Sequence, residues 1–190
     1  MPAWVLAVLI AIGGLAAVKL AFTASIVSVF PVTRGAMFHP SAAVRVKTFL
    51  DHAPMAAGAL LFDIGCGDGR VLKAAAKRYD VRAVGFEVNP LAYLLALIRT
   101  LGMKSVEVRY GDFWKADVRE ADVVFCYLFP DVMKRLAVKL EAELKPGALV
   151  CSCNFPIPGW KPAETLFPES SLHGDPIYLY RFPGSCQPDA

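Results

Sequence analysis

Three carboxylates stand at or near the ends of three apolar runs, spaced about 25 residues apart. Asp63 lies within the first run, Glu87 ends the second, and Asp112 follows a third run in which apolar and polar residues alternate. Such runs, bounded by Gly, Asn and Asp, predict buried strands. At the carboxyl end of a strand, a carboxylate can accept hydrogen bonds from hydroxyl and amine groups of a ligand. Taken singly, Glu87 and Asp112 have the alternative of being solvated acids in turns.

The glycine-rich stretch after the first run distinguishes two kinds of nucleotide cofactor. Gly65, Gly67 and Gly69 precede a helix, so a ligand can lie against the backbone while the helix amides point at it. A dinucleotide loop needs Gly-x-Gly-x-x-Gly, but Arg70 stands at the last of those positions. Gly-x-Gly-x-Gly preceded by an acid suits a cofactor with an amino-acid end and no phosphate. That cofactor is S-adenosylmethionine.

The same segments give each polar group an expected role toward this cofactor. Glu87 is expected to accept from both ribose hydroxyls, Asp112 to accept from the adenine amine, and Phe113 to stack on the ring. Asn89 is expected to cap a helix that begins at Pro90. The predicted cofactor-binding residues are Asp63, Gly65, Cys66, Gly67, Asp68, Gly69, Glu87, Asn89, Asp112 and Phe113.

Apolar periodicity predicts the elements that must hold these residues. Ser41 is expected to cap a helix that runs to His52, and Asp131 to cap a helix whose apolar stripe ends at Leu144. The tail is expected to add an antiparallel hairpin at one edge of the sheet. The predicted strands span 60–64, 82–87, 106–110, 121–127, 148–153, 165–167 and 177–182.

Several segments resemble those of class I S-adenosylmethionine-dependent methyltransferases. More narrowly, they are similar to the membrane-anchored lysine N-methyltransferases that modify the ATP synthase c-subunit and the adenine nucleotide translocase. The Glu-x-Asn-Pro and Phe-Pro-x-Pro-x-Trp segments are more specific than the glycine loop. The resemblance implies a Rossmann-like α/β fold with a seven-stranded sheet and helices on both faces. The segments that carry it are 63–70, 85–90, 112–115, 132–136 with 139–144, and 155–160.

The resemblance also implies methyl transfer to a lysine side chain of a membrane protein. In such a displacement the protein chiefly has to align the amine with the methyl group and exclude water. A dry aromatic channel lowers the pKa of lysine by desolvation, and aromatic faces can hold a cation. For each channel residue the alternative is a hydrophobic wall with no catalytic part. The predicted catalytic residues are Tyr127, Phe129, Asn154, Phe155, Pro156 and Trp160.

The N-terminal segment accounts for the high mean hydropathy of the chain, +0.46. Between Pro2 and Phe30 the only charge is Lys19, and about 20 residues suffice to cross a bilayer, so a span over 4–23 is expected. A cleavable signal peptide would begin with basic residues, and a core helix would show a polar face before Lys19. We therefore expect residues 1–33 to be a membrane anchor and residues 34–190 to be the methyltransferase domain.

The basic residues next to this segment predict its orientation. None precedes the span, whereas Arg34, Arg45 and Lys47 follow it, so the catalytic domain is expected to face the cytoplasm. A mitochondrial presequence would be Arg-rich and amphipathic. The expected location is therefore the inner membrane of a bacterial cell, with a single pass.

Composition disfavours other kinds of site and leaves two alternative functions open. The odd number of cysteines, without Cys-x-x-Cys spacing, predicts neither disulfides nor a metal site, and the dispersed net charge of +3 gives no basis for nucleic-acid binding. Oligomeric state is not predicted. The alternatives are a methyltransferase for a lipid or quinone headgroup, and a non-catalytic, membrane-tethered module that binds a nucleoside. The cysteines are Cys66, Cys126, Cys151, Cys153 and Cys186.

Overall fold

The computed structural model describes residues 2–33, 41–168 and 175–185. It divides into two compact units, Met1–Met37 and Phe38–Ala190. The domain boundary expected between residues 33 and 34 stays a prediction, because residues 34–40 lie outside the described residues. Arg34, used to predict orientation, lies there too.

The first unit contains one long helix, α1, Ala3–Thr33. Its stretch Ala3–Ala21 is long and apolar enough to cross a membrane, judged by length and composition. Large side chains such as Trp4 and Ile10 are exposed along it. A core helix of a soluble protein would instead be mostly buried, and the role of this segment as a membrane anchor stays a prediction.

Within its described residues, the second unit folds around a seven-stranded sheet with the order β3-β2-β1-β4-β5-β7-β6. Strands β1 to β5 pair in parallel, while β7 runs antiparallel to both β5 and β6. This arrangement confirms the predicted fold, including the antiparallel hairpin at one edge. The strands are β1 Leu60–Ile64, β2 Arg82–Glu87, β3 Val106–Tyr110, β4 Val123–Cys126, β5 Leu149–Cys153, β6 Glu164–Leu166 and β7 Ile177–Arg181.

Helices cover both faces of the sheet. On one face, Phe49 and Leu72 pack in the same buried cluster as Leu61 of β1. On the other face, Leu136 and Leu140 pack against Phe62. The central strands are consequently apolar on both sides, as is usual for parallel sheets. The helices are α2 Ala43–His52, α3 Arg70–Tyr79, α4 Pro90–Arg99 and α5 Pro130–Glu143, with a short 3-10 helix over Phe113–Lys115.

One predicted helix cap is confirmed and two are wrong. The Asn89 side chain accepts hydrogen bonds from the amides of Leu91 and Ala92 at 3.0 and 3.1 Å, as expected of an N-cap. Ser41 does not cap α2, because that helix begins one residue later than expected, after Ala42. Asp131 lies inside the first turn of α5 rather than at its cap, because Pro130, with its fixed φ, already occupies the first helical position.

Candidate functional site

The glycine loop between β1 and α3 is sharply bent. Gly65, Gly67 and Gly69 all have positive φ values, of 74°, 55° and 73°. An added Cβ at Gly69 would lie 3.1 Å from the Cβ of Ala96 in α4, so this turn also needs the missing side chain for close packing. Gly65 is exposed at the carboxyl edge of the sheet, whereas Gly67 and Gly69 are buried in the turn.

Glu87 ties this loop to the end of β2. Its buried carboxylate accepts from the amide of Gly67 at 2.8 Å and from the amides of Val88 and Asn89 at 2.9 and 2.8 Å. Burial raises the pKa of Glu87, and these amide hydrogen bonds oppose the rise. A carboxylate offers about four acceptor sites, so little capacity remains for a ribose. The ribose role of Glu87 stays a prediction, and its structural role was not foreseen.

Asp63 lies on β1, at the same edge of the sheet. Its carboxyl group is buried, and Oδ2 has no hydrogen-bond partner among the described residues. Burial first, and then the charges of Glu87 and Asp68, hold the pKa of Asp63 well above its ordinary value. Buried polar atoms without partners are rare, and a cationic donor would satisfy this one. The amino group of S-adenosylmethionine is such a donor, so Asp63 fits the predicted cofactor.

Asp68 is held by two arginines. Its carboxylate accepts from Nε of Arg70 at 2.9 Å and from Nη2 of Arg99 at 2.8 Å. Burial opposes ionisation, but Arg70 and Arg99 together hold the pKa of Asp68 below its ordinary value. Arg70 also donates to the carbonyl of Ser41 at 2.7 Å, which links the start of α2 to the glycine loop. A direct cofactor contact of Asp68 stays a prediction.

Arg45 was not recognised as a site residue from the sequence. It is 6 % exposed, pairs with Asp175 before β7, and places its guanidinium carbon 5.1 Å from the ring centroid of Tyr127. Its Nη1 atom is buried and has no hydrogen-bond partner among the described residues. One signal was available, because Arg45 precedes the buried Phe49 by one helical turn and so shares its face.

Asp112 and Phe113 form a turn at the end of β3. Asp112 accepts from the amide of Trp114 at 3.0 Å and so caps the short 3-10 helix. The ring centroids of Phe113 and Trp114 are 4.3 Å apart. Each residue has a local structural contact, and the adenine contacts expected of both stay predictions.

The loops after β4 and β5 bring aromatic residues together. The ring centroids of Phe129 and Phe155 are 6.5 Å apart, with 28° between the ring planes. Asn154 has a φ of 72°, which is unusual for a residue with a side chain, and its amide donates to the carbonyl of Pro176 at 2.8 Å. Ser152 donates to the carbonyl of Phe155 at 2.6 Å, which fixes the turn leading to Pro156. Strain of this kind is often found at functional sites.

Trp160 has the contacts of a core residue. It is buried, its indole N–H donates to Glu141 of α5 at 2.7 Å, and its ring lies 5.6 Å from that of Tyr180. Its assignment to the acceptor channel stays a prediction, and the structure gives it a packing role that the sequence did not indicate.

Four of the cysteines are buried and free: Cys66, Cys126, Cys151 and Cys153. Burial raises the pKa of Cys126 to about 12 and that of Cys66 well above the ordinary value. The prediction that they act as small apolar residues is confirmed, and Cys186 lies outside the described residues.

Comparison with known proteins gives matches across this site. The sequence profile of the ANTKMT methyltransferase domain matches residues 63–164. A protein-lysine N-methyltransferase of Saccharolobus islandicus is 38% identical over 139 residues, which are 71% of this chain and 86% of that protein. The lysine N-methyltransferase of the ATP synthase c-subunit from Mus musculus is 40% identical over 108 residues, but the match spans only 43% of its length and 55% of this chain.

A solved structure is also similar over most of the chain. It is an RNA methyltransferase from Salinibacter ruber in complex with S-adenosyl-L-homocysteine, with a TM-score of 0.73 and 33% identity. The match covers 80% of this chain and 98% of that one.

Proposed function

Because the chain belongs to the family of the ANTKMT methyltransferase domain, we propose that it methylates a lysine side chain of a membrane protein. The enzyme class is that of the S-adenosylmethionine-dependent protein-lysine methyltransferases. The observation that carries the proposal is the profile match over 63–164, which includes every predicted cofactor-binding and catalytic residue. The acceptor class and the roles of single residues are part of the proposal.

Two buried atoms without hydrogen-bond partners among the described residues, Oδ2 of Asp63 and Nη1 of Arg45, support a binding site for the amino-acid end of the cofactor. The side chain of Asp63 alternates with that of Phe62, so it points to the face of the sheet on which Phe49 and Tyr127 pack. Arg45 lies on that face as well, over the Tyr127 ring. We assign the cofactor ammonium to Oδ2 of Asp63 and the carboxylate to Nη1 of Arg45. A zwitterion thereby gives partners to both buried atoms.

The glycine loop and its neighbours then hold the rest of the cofactor. Gly65, which is exposed, leaves room for it against the backbone, and Glu87 keeps the loop in place through the Gly67 amide. Asp112 and Phe113 stand at the next strand end for the adenine ring. When bound, S-adenosylmethionine supplies the activated methyl group.

The residues after β4 and β5 are suited to receive the lysine. Tyr127, Phe129 and Phe155 offer aromatic faces, which hold a cation and exclude water. A lysine taken out of water loses its proton more readily, because burial disfavours its charged form. Asn154 has a positive φ and donates its amide to the carbonyl of Pro176, and the next residue, Phe155, packs its ring near that of Phe129. The part left to these residues is alignment of the amine and exclusion of water.

The apolar helix supports an acceptor in the same membrane. An anchor over Ala3–Ala21 would raise the effective concentration of targets held in the same plane, whereas a soluble metabolite would gain nothing. Basic residues after the helix, including the exposed Lys47, favour a cytoplasmic catalytic domain at a bacterial inner membrane. One relative is the lysine N-methyltransferase of the ATP synthase c-subunit, so the c-subunit is the first acceptor to test.

The test is transfer of labelled methyl groups by the purified full chain to membranes from cells that lack its gene. Label is expected in the protein fraction, on lysine, and not in extracted lipid or RNA. Label in lipid would support the headgroup alternative. Label in RNA would assign the chain the activity of the Salinibacter ruber relative. Cofactor binding without transfer to any fraction would support the non-catalytic module.

A further inference from the structure

Helix α4 places its small residues inward and its large residues outward. Ala92 and Ala96 are fully buried, whereas Ile98 is 63 % exposed and Leu101, just beyond the helix, is 85 % exposed. An amphipathic helix of a soluble domain has the opposite arrangement, with large apolar residues against the core. The outward side of this helix is therefore built for contact with something apolar.

The exposed residues form one continuous surface, which we call the α4 face. Positions 94, 97, 98 and 101 are three or four residues apart and so lie on one side of the helix. Tyr110 of the edge strand β3 lies beside this helix, because its ring centroid is 5.3 Å from that of Tyr93 in α4. The α4 face consists of Leu94, Leu95, Leu97, Ile98, Leu101 and Tyr110.

The rotation of the helix is fixed by two contacts, so this exposure is a property of the fold. The Asn89 side chain caps the first turn of α4 through the amides of Leu91 and Ala92. One turn further on, Ala96 packs against Gly69. A Cβ added at Gly69 would lie 3.1 Å from the Cβ of Ala96. Ala96 is fully buried in this contact, and turning the helix to bury its leucines would break both contacts.

We propose that the α4 face lies on the surface of an anionic lipid bilayer. Its helical residues are all aliphatic, whereas the energetic centres of protein interfaces are rich in Trp, Tyr and Arg and poor in Leu. Residues 90–110 carry three basic residues and one acid, a net charge of +2; Arg99 is paired with Asp68 and Arg109 with Glu107, and Lys104 is exposed. A leucine-rich side with basic residues around it is the composition of helices that lie in the membrane interface.

If α1 anchors the chain, the domain is close to a bilayer. The inference rests on that anchoring. Docking would also orient the site, because α4 begins at Pro90, three residues after Glu87 of the cofactor edge. The carboxyl edge of the sheet would then be held at a fixed height above the lipid. The acceptor lysines would be those at the membrane surface rather than on distant soluble domains.

The test uses the full chain in vesicles of phosphatidylcholine and phosphatidylglycerol, with an NBD fluorophore at one cysteine. Ile98→Cys reports on the α4 face, and Val138→Cys on α5 is the matched control, because Val138 is 64 % exposed and also aliphatic. Cys186 is replaced by Ser in both, and the four buried cysteines remain. Brominated lipid should quench the label at 98 at least about threefold more than the label at 138, and iodide should reach only the latter.

Leu101→Cys, outside the helix, gives a second position if the change at 98 disturbs folding, and the same strong quenching is expected there. Equal quenching at 98, 101 and 138 would overturn the proposal. If the label at 98 is protected from iodide only in vesicles that hold more than one chain, a second copy of the chain covers the α4 face. That result would also overturn the proposal. Protection that requires an acceptor protein would overturn it as well. The readout involves no methyl transfer, so it is independent of whether lysine proves to be the acceptor.

Discussion

At the residue scale, we propose that Oδ2 of Asp63 and Nη1 of Arg45 select the amino-acid end of the cofactor. Each is buried and has no hydrogen-bond partner among the described residues. A buried polar group without a partner costs about 1–3 kcal/mol, and more when it is charged. A ligand with both an ammonium and a carboxylate removes both costs, whereas a nucleoside without an amino-acid end removes neither.

Arg45→Gln should weaken binding of S-adenosylhomocysteine by about 1.5–3 kcal/mol, because a hydrogen bond to a charged group is lost. Decarboxylated S-adenosylmethionine lacks the carboxylate, so it should bind the unmodified chain and the Arg45→Gln variant with the same affinity. Calorimetry with the two ligands separates recognition from general destabilisation. Asp51→Asn is the control, because Asp51 also lies on α2 and the change removes its ion pairs with Lys47 of α2 and Arg78 of α3. Equal losses for both ligands in the Arg45 variant would show that Arg45 acts only by supporting the fold.

Binding of the cofactor should release a proton from Asp63. In the free protein its pKa is raised by burial and by the facing charges of Glu87 and Asp68, so the folded state holds a proton that the unfolded state has lost. Folding stability from this group therefore falls as the pH rises from the ordinary pKa of Asp to the raised one. The cofactor ammonium favours the carboxylate, so affinity should increase with pH over the same interval.

Calorimetry in two buffers of different ionisation enthalpy measures this proton release, which should vanish in Asp63→Asn. An affinity that does not change with pH, with no proton released by the unmodified chain, would contradict the assignment.

At the element scale, strand positions could be predicted from the sequence and the contacts of the site could not. The apolar runs before Asp63 and Glu87 identify β1 and β2, because strands buried on both faces have little choice of residue. Burial of Arg45 depends on how α2 packs against Tyr127, which is distant in the chain. The hydrogen bonds of Glu87 to the glycine loop likewise arise only when two strands lie side by side.

Gly85→Ala should damage the glycine loop from the neighbouring strand. An added Cβ would lie 2.6 Å from Cδ1 of Leu72 and 2.7 Å from Sγ of Cys66, so both must move. We expect a loss of about 1–3 kcal/mol in stability, as for other overpacked cores, and about tenfold weaker cofactor binding. Gly184→Ala is the control, because the nearest atom there is 3.7 Å away. Lower thermal stability with unchanged cofactor affinity would show that the loop does not hold the cofactor.

Trp160→Phe should distinguish packing from catalysis. The change keeps an aromatic ring in the core but removes the N–H that donates to Glu141. The free energy of unfolding should therefore fall by about 1 kcal/mol, while kcat stays unchanged. Trp160→Ala should cost about 3–5 kcal/mol, since it also leaves a cavity. Unchanged stability of Trp160→Phe with a reduced kcat would instead restore the catalytic role expected from the sequence.

At the scale of the whole molecule, an apolar helix and a methyltransferase domain share one chain. The domain alone accounts for cofactor binding and for the transfer chemistry. The helix, and the α4 face if it meets lipid, would restrict that chemistry to acceptors near one bilayer surface. The preference for a membrane protein therefore derives from the combination of the two units and not from any residue of the site.

The most direct test of this account is the methyl-lysine content of membrane proteins in the source cells. Mass spectrometry would compare cells with the gene, cells without it, and cells that carry the Asp63→Asn chain. We predict a methylated lysine on an integral membrane protein that is present only with the unmodified gene, at a site close to the cytoplasmic membrane surface. Identical lysine methylation of membrane proteins in all three, or gene-dependent methylation confined to soluble molecules, would contradict it.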